Sequence, residues 1–279
     1  MGSPEPASPA VVVGALETLQ RAPMRAPLTL TPGARASTEL AGWHEATRLT
    51  QTPFVTRLAR AYSADLDTDH LAVGGACGLQ HYAGRFALAA LGVWVQTGCL
   101  PDLDPGAWQL ELDERGHTIT IAPPIQGSHP AGDAHAAADA VLRLHLAPMI
   151  AATREATRIT ERVALGCIAA SCSGAFSTFH RGAAPQDQEA FAAVAVAFLS
   201  ARAWQSDRPL VDLSRITVDA GAALVHERRV CCLIRLGRGH GACGTCPDLD
   251  PAERRRRITD HANRAPRGAD LHLGVDHVP

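Results

Sequence analysis

Four of the chain's eight cysteines fall within 16 positions near its C-terminal end: Cys231, Cys232, Cys243 and Cys246. The pattern is C-C, ten residues, then C-x-x-C. It constrains the fold more than any other feature, because the chain must either gather these thiols around a shared centre or leave them loose and reactive. The opening segment MGSPEPASPAVVVGALETLQ has no basic region and only an interrupted apolar stretch, so it does not read as an export signal. A cytoplasmic protein is expected, and in a reducing compartment such a cluster points to a metal site rather than to disulfides.

The spacing narrows the choice of metal. A zinc ribbon normally presents two C-x-x-C knuckles, each curling both sulfurs onto one ion. Adjacent cysteines do this poorly, because neighbouring side chains on an extended backbone point to opposite faces. Two sulfide-bridged irons relax the demand, since the four ligands need not converge on one atom. Cys246-Pro247 also matches the C-P that closes many ferredoxin motifs. These rules favour a [2Fe–2S] cluster, with a zinc site and fortuitous thiols as alternatives. Gly237, Gly239, Gly241 and Gly244 are expected to keep the loop compact and to free N–H groups for sulfur. The run Gly237-x-Gly239-x-x-Ala242 resembles a dinucleotide fingerprint, but it leads into a cysteine knuckle instead of opening a helix. Cys77, Cys99, Cys167 and Cys172 lie in Ala-rich apolar surroundings and are expected to pack as small core residues.

Composition removes several classes. With 46% hydrophobic residues, 19% charged residues and a net charge of -2, the 279-residue chain suits a folded protein. It lacks the basic excess of a dedicated nucleic-acid binder, so no nucleic-acid partner is expected. All 26 basic residues are Arg, which excludes chemistry that needs a lysine. The longest apolar runs, 86–95 and 190–199, have 10 residues each. A transmembrane helix needs about 20, so no transmembrane segment is expected.

Local patterns predict helices over 9–20, Thr38–Ala64, 69–98, 131–157, 160–180, 184–203 and Ala252–Ala262, with 22–36 as a connector. Thr38-Glu39 reads as a start signal, Pro53 and Pro148 as bends, and Asp67 or Asp69 as a cap. Alternation predicts a hairpin from Trp108–Asp113 and Thr118–Ile121. Strands are expected at 216–219, 223–227 and 229–236, the last carrying the chain into the cysteine loop. The fold class is α+β, helix-rich with a small antiparallel sheet and a C-terminal [2Fe–2S] cluster loop.

The motif C-C-x10-C-x2-C resembles the [2Fe–2S] signature of the FhuF-like ferric-siderophore reductases. Three upstream segments resemble that family more weakly: Leu79–Gly92 its long apolar helix, Trp108–Pro124 its hairpin, and Leu144–Pro148 its H-L-x-P helix. The resemblance implies that Cys231, Cys232, Cys243 and Cys246 are cluster ligands. It implies one-electron reduction of Fe(III) in a hydroxamate-type siderophore, in the cytoplasm. It also implies a division into 1–65, an N-terminal helical segment of uncertain relation; 66–215, the helix-rich reductase-like part; and 216–279, the strands and cluster segment. No nicotinamide or flavin domain is visible, so an external donor is expected, such as a ferredoxin or an NAD(P)H-dependent reductase.

Other residues are candidates around that centre. Arg228, Arg229, Arg235 and Arg238 flank the motif and would guide an anionic complex, or form a solvated edge. His240 is a candidate for an outer contact to the cluster, and His226 for a coupled proton. Arg254–Arg257 reads as a solvated helix face or as a dock for an acidic donor. Trp43, Tyr82, Trp94, Trp108 and Trp204 either wall a pocket or fill the core. Two further readings of the whole chain remain: an electron carrier or redox sensor without siderophore substrate, and a zinc-stapled binding module.

Overall fold

The computed structural model describes residues 5–21, 27–33, 40–204, 208–268 and 271–274. Helix α1 (Pro9–Arg21) buries Val12, Ala15, Leu16 and Leu19, an i, i+3, i+4, i+7 stripe. Strand β1 (Gly42–Glu45) and a 3₁₀ turn, Ala46–Thr50, precede α2 (Thr52–Asp65). The expected helix over Thr38–Ala64 is therefore corrected to a strand, a turn and a shorter helix, while its start signal lies outside the described residues. Pro53 does not bend a helix but sits in the first turn of α2, where its missing N–H has no intrahelical partner to lose.

Helix α3 (Leu71–Thr97) is the central element. Its 27 residues span about 40 Å at 1.5 Å per residue, and 18 of them are buried, so other elements cover it on most sides. Neither Asp67 nor Asp69 caps it: the N-cap is His70, and Asp67 adopts a left-handed φ of 47°. It ends at Gly98, whose left-handed φ of 72° lets its N–H reach the Trp94 carbonyl at 2.7 Å.

Strands β2 (Cys99–Leu100), β3 (Gln109–Leu112), β4 (Thr118–Ala122) and β5 (His129–Pro130) follow. The expected hairpin is present as β3–β4. Asp113 Oδ1 closes its turn by accepting from the N–H groups of Arg115 and His117, and β1 adds to the other side of β3. Helix α4 (Ala134–Ala140) runs through a π-helical turn, Val141–Leu146, into α5 (Ala147–Thr157). Pro148 lies at the start of α5, so the irregularity it demands takes the form of wider hydrogen bonding before it.

Helix α6 (Glu161–Gly182) lies against α3, and α7 (Gln188–Leu199) follows. By length and composition α6 would cross a membrane, but 78% of its apolar window is buried inside the molecule, as in a core helix. Strands β6 (Val211–Val218) and β7 (Gly221–Arg228) form an antiparallel pair over α6. Helix α8 (Pro251–Arg264), capped by Asp250, is the last helix among the described residues. One core runs from Val12 to Leu271. The fold is helix-rich α+β with small antiparallel sheets. Trp43, Tyr82, Trp94, Trp108 and Trp204 are all buried in it.

Candidate metal centre

The strand expected over 229–236 does not form. Strand β7 ends at Arg228, and the cysteine loop begins as irregular chain, with Leu233 in a left-handed conformation at φ 66°. This corner separates the adjacent cysteines. Cys232 Sγ stands 3.9 Å from Cys243 Sγ. Cys231 Sγ, Cys246 Sγ and a carboxylate oxygen of Asp248 lie within 4.8 Å of one another, a group that can hold a metal ion. Two tetrahedral thiolates at about 2.3 Å from one ion stand about 3.8 Å apart, so the Cys232–Cys243 spacing is already that of ligands sharing a metal. The loop thus presents two sulfur pairs, each joining one member of C-C to one of C-x-x-C.

The frame explains why the ten-residue spacer can hold this arrangement. Gly237 is pressed so close to α2 that a Cβ there would stand 2.5 Å from the Leu66 carbonyl oxygen. At the C-x-x-C turn the Cys246 N–H donates to the Cys243 carbonyl at 3.0 Å. Helix α8 then fastens the loop. Arg254 Nε donates to Glu227 Oε2 at 2.8 Å, and its Nη1 fans over the carbonyls of Cys246, Pro247 and Leu249 at 3.2–3.5 Å. Arg257 Nη1 donates to the Ala242 carbonyl at 2.9 Å. Sequence reading treated Arg254–Arg257 as one surface run. The fold instead uses Arg254 and Arg257 as clamps on the loop, leaves Arg255 exposed and pairs Arg256 with Glu253.

Electrostatics divide the thiols. The hydrogen bond from Cys232 and the charge of Arg228 hold Cys243 below the ordinary thiol range, against the effect of burial. That same hydrogen bond, followed by burial, pushes Cys232 up. Cys77 and Cys167 pack close by, and burial raises both, Cys77 to about 12. They are buried core thiols, as are Cys99 and Cys172.

Of the flanking arginines, Arg235 reaches the outer sulfur pair at Cys231, and Arg228 faces the inner pair. Arg228 is 4% exposed, its Nη2 donates to Gln80 Oε1 at 2.7 Å, and its Nη1 has no partner. Arg229 pairs with Asp212, Arg235 bonds Cys231 and pairs with Asp248 at 2.6 Å, and Arg238 and His240 are exposed. The last two lie outside the cavity that adjoins the cysteines. That cavity, of about 850 Å³, opens between α3, α6, β7 and α8. Cys232 and Cys243 border it and Cys231 and Cys246 do not, so one sulfur pair faces the cavity and the other faces away. His226 lines it too, while the five candidate aromatics do not.

No family model matches this chain. No curated protein matches it either. The FhuF-like resemblance therefore stands on the cysteine spacing and the upstream segments alone.

Sequence reading missed Gln80, which holds Arg228, and the polar residues of α3 and α6 that line the cavity. The signal was available: Cys77, Gln80, His81, Gly84 and Arg85 recur at helical spacing on one stripe of an otherwise apolar helix.

Proposed function

We propose that the chain is a ferric-siderophore reductase, which takes one electron from an external ferredoxin or NAD(P)H-dependent reductase and passes it to Fe(III) held in a siderophore. The observation that carries the reading is the two-pair arrangement of sulfurs beside a cavity large enough for a small ligand. The donor set fits a [2Fe–2S] centre: Cys232 and Cys243 would hold one iron, Cys231 and Cys246 the other. Bound there, such a centre supplies single electrons at a low potential, as expected for four thiolate ligands.

The protein's own residues supply the rest. Arg228 sets a buried positive charge beside Cys232 and Cys243, favouring their anionic form. Gln80 fixes the direction of that guanidinium. The Leu233 N–H donates to Cys231 Sγ at 3.4 Å, the kind of contact that tunes a metal thiolate. The walls of α3 and α6 hold the chelate against the inner sulfur pair. Fe(III) binds hard oxygen donors far more tightly than Fe(II), so one electron is enough to loosen the metal. No general acid or base is required.

A second reading is favoured by Asp248: with Cys231 and Cys246 it offers a mixed site for a single zinc, which would staple the loop without redox chemistry. Visible and EPR spectra of anaerobically purified protein, before and after dithionite, separate the two. A red-brown protein with a reduced S = 1/2 signal, quenched by a ferric siderophore, is the expected result. Cys243→Ser should abolish the signal and most of the bound iron. A colourless zinc protein would overturn the proposal, and a signal that persists with every ferric chelate would leave only an electron carrier.

A further inference from the structure

We infer that the cavity is built for a polyanionic ferric chelate, of the catecholate or α-hydroxycarboxylate kind, rather than for a neutral hydroxamate complex. The inference rests on the reductase reading for the identity of the metal, and on the cavity's own charges for the class of ligand.

Five arginines line the cavity, Arg85, Arg181, Arg228, Arg257 and Arg264, with Asp260 as the carboxylate among them. Arg257 is neutralised by Glu253 at 2.6 Å, and Arg228 lies against the thiol pair. That leaves the half-buried Arg85 and Arg181 and the exposed Arg264 against the exposed Asp260, three positive charges to one. Arg85 spends its hydrogen bonds on the carbonyls of Ile119 and His81, and Arg181 donates to Thr178 Oγ1, while its buried Nε has no partner. Among the described residues none of these three arginines has a carboxylate ion-pair partner. The histidines do not restore the balance, since they carry no negative charge. Partly buried cations without counter-charge, as Arg85 and Arg181 are, are costly, and an anion that fills the space between them removes that cost.

The ligand's charge follows from its donors. Three hydroxamates bring three negative charges and leave a ferric complex neutral. Three catecholates bring six and leave it at 3−. The wall between the thiols and Arg181 also has the room. Gly84 and Gly174 line the cavity from α3 and α6, a Cβ on Gly174 would meet nothing within 4 Å, and one on Gly84 would touch only Ser171 Oγ at 3.9 Å. From Ser171 to Arg181 the helix runs about 15 Å at 1.5 Å per residue, so an anion at the arginine end remains within one small ligand's reach of the sulfur end.

Gallium(III) complexes test this, because gallium carries the charge of Fe(III) without accepting an electron. Binding of gallium tris-catecholate, a gallium α-hydroxycarboxylate chelate and a neutral gallium tris-hydroxamate is measured by calorimetry at low and high salt. The anionic complexes should bind at least tenfold more tightly, with affinity falling as salt rises. Of the two, the tighter identifies the donor type. The double variant Arg85→Gln/Arg181→Gln should lose at least tenfold of that affinity with thermal stability and iron content retained. Should that variant fail to fold, Gly174→Leu fills the cavity from a position with free space and should abolish binding. Equal or tighter binding of the neutral complex, arginine-independent affinity, or no binding of any complex overturns the inference. Ferric versions of the same complexes keep the two proposals apart. Reduction of neutral chelates with arginine-independent affinity would retain the reductase and refute the anion site. Tight, arginine-dependent binding of anionic chelates without reduction would retain the anion site and refute the reductase.

Discussion

Two glycines on α6 should respond in opposite directions to the same substitution. Gly174 and Gly166 both lie inside the helix, and alanine there gains roughly 1 kcal/mol of helix propensity over glycine. At Gly174 an added Cβ meets nothing within 4 Å, so Gly174→Ala should keep that gain. For a chain of this size that is a rise in Tm of about 2–4 °C. At Gly166 the Cβ would stand 2.6 Å from Val230 Cβ and 2.9 Å from its Cγ1. Carbon contacts settle near 3.5–4.0 Å, so the overlap is about 1 Å. Valine is stiff at χ1 and cannot swing aside, so the strain falls on the backbone one residue before Cys231. Overpacking costs about 1–3 kcal/mol, which outweighs the propensity gain by roughly 1 kcal/mol and lowers Tm by a few degrees. The assay is differential scanning calorimetry with iron analysis on both variants. If the cysteines hold a metal as proposed, Gly166→Ala should also lose it, because its displacement reaches Cys231. If both variants gain stability, or if Gly166→Ala keeps full metal content, Val230 is not seated on α6 and the loop is not braced from that side.

Arg254→Ala should destabilise the protein by roughly 2 kcal/mol in urea unfolding and lower metal retention, because it strips charge-assisted hydrogen bonds from three loop carbonyls and leaves Glu227 unpaired; an unchanged midpoint would remove the clamp. Acid should weaken the fold through His145, which is 0% exposed, bonded to Tyr82 Oη at 2.7 Å, and lowered by burial to about 3 from 6.5. The unfolded chain takes up this proton first, so the contribution is complete above about pH 6.5 and is lost as pH falls toward the folded value, by roughly 3 kcal/mol at pH 4.5. Urea midpoints from pH 7 to 4.5 should show that slope, and His145→Gln should flatten it; equal slopes would refute the assignment.

The cysteine motif and the helical periodicity were legible because each is local. Helices α1, α3, α6 and α8 and the β3–β4 hairpin follow from stripes, caps and turn residues within one stretch of chain. What the pattern did not carry was pairing at a distance. Residues 42–45 read as helix because Leu40, Trp43 and Leu49 share a helical stripe, but β3 recruits them as a third strand. Residues 229–236 read as strand because they continue a largely apolar run, but the chain leaves β7 at Arg228 and turns at Leu233, and Cys231 and Cys232 reach different partners. Arg228 was picked from the sequence for its position beside the motif, and Arg229 for the same reason. Only the fold separates them, burying one against Gln80 from α3 and turning the other to Asp212.

Arg228 also ties the metal centre and the cavity together. A buried guanidinium with an empty Nη1 is a poor investment for a fold unless something negative faces it. The groups near it able to become negative are the thiols of Cys167, Cys77, Cys232 and Cys243, and its charge helps hold Cys243 below the ordinary thiol range. Were these four cysteines merely a hydrophobic plug, the arginine would be better replaced by an apolar side chain of the same volume. Four thiolates around a metal, as proposed, would reverse that argument, because the arginine would then compensate their combined charge. The same residue lines the cavity, so whatever occupies that space meets this guanidinium beside the inner sulfur pair. A ligand drawn in by Arg85 and Arg181 would thus lie between two positive ends, with the inner sulfur pair behind one of them.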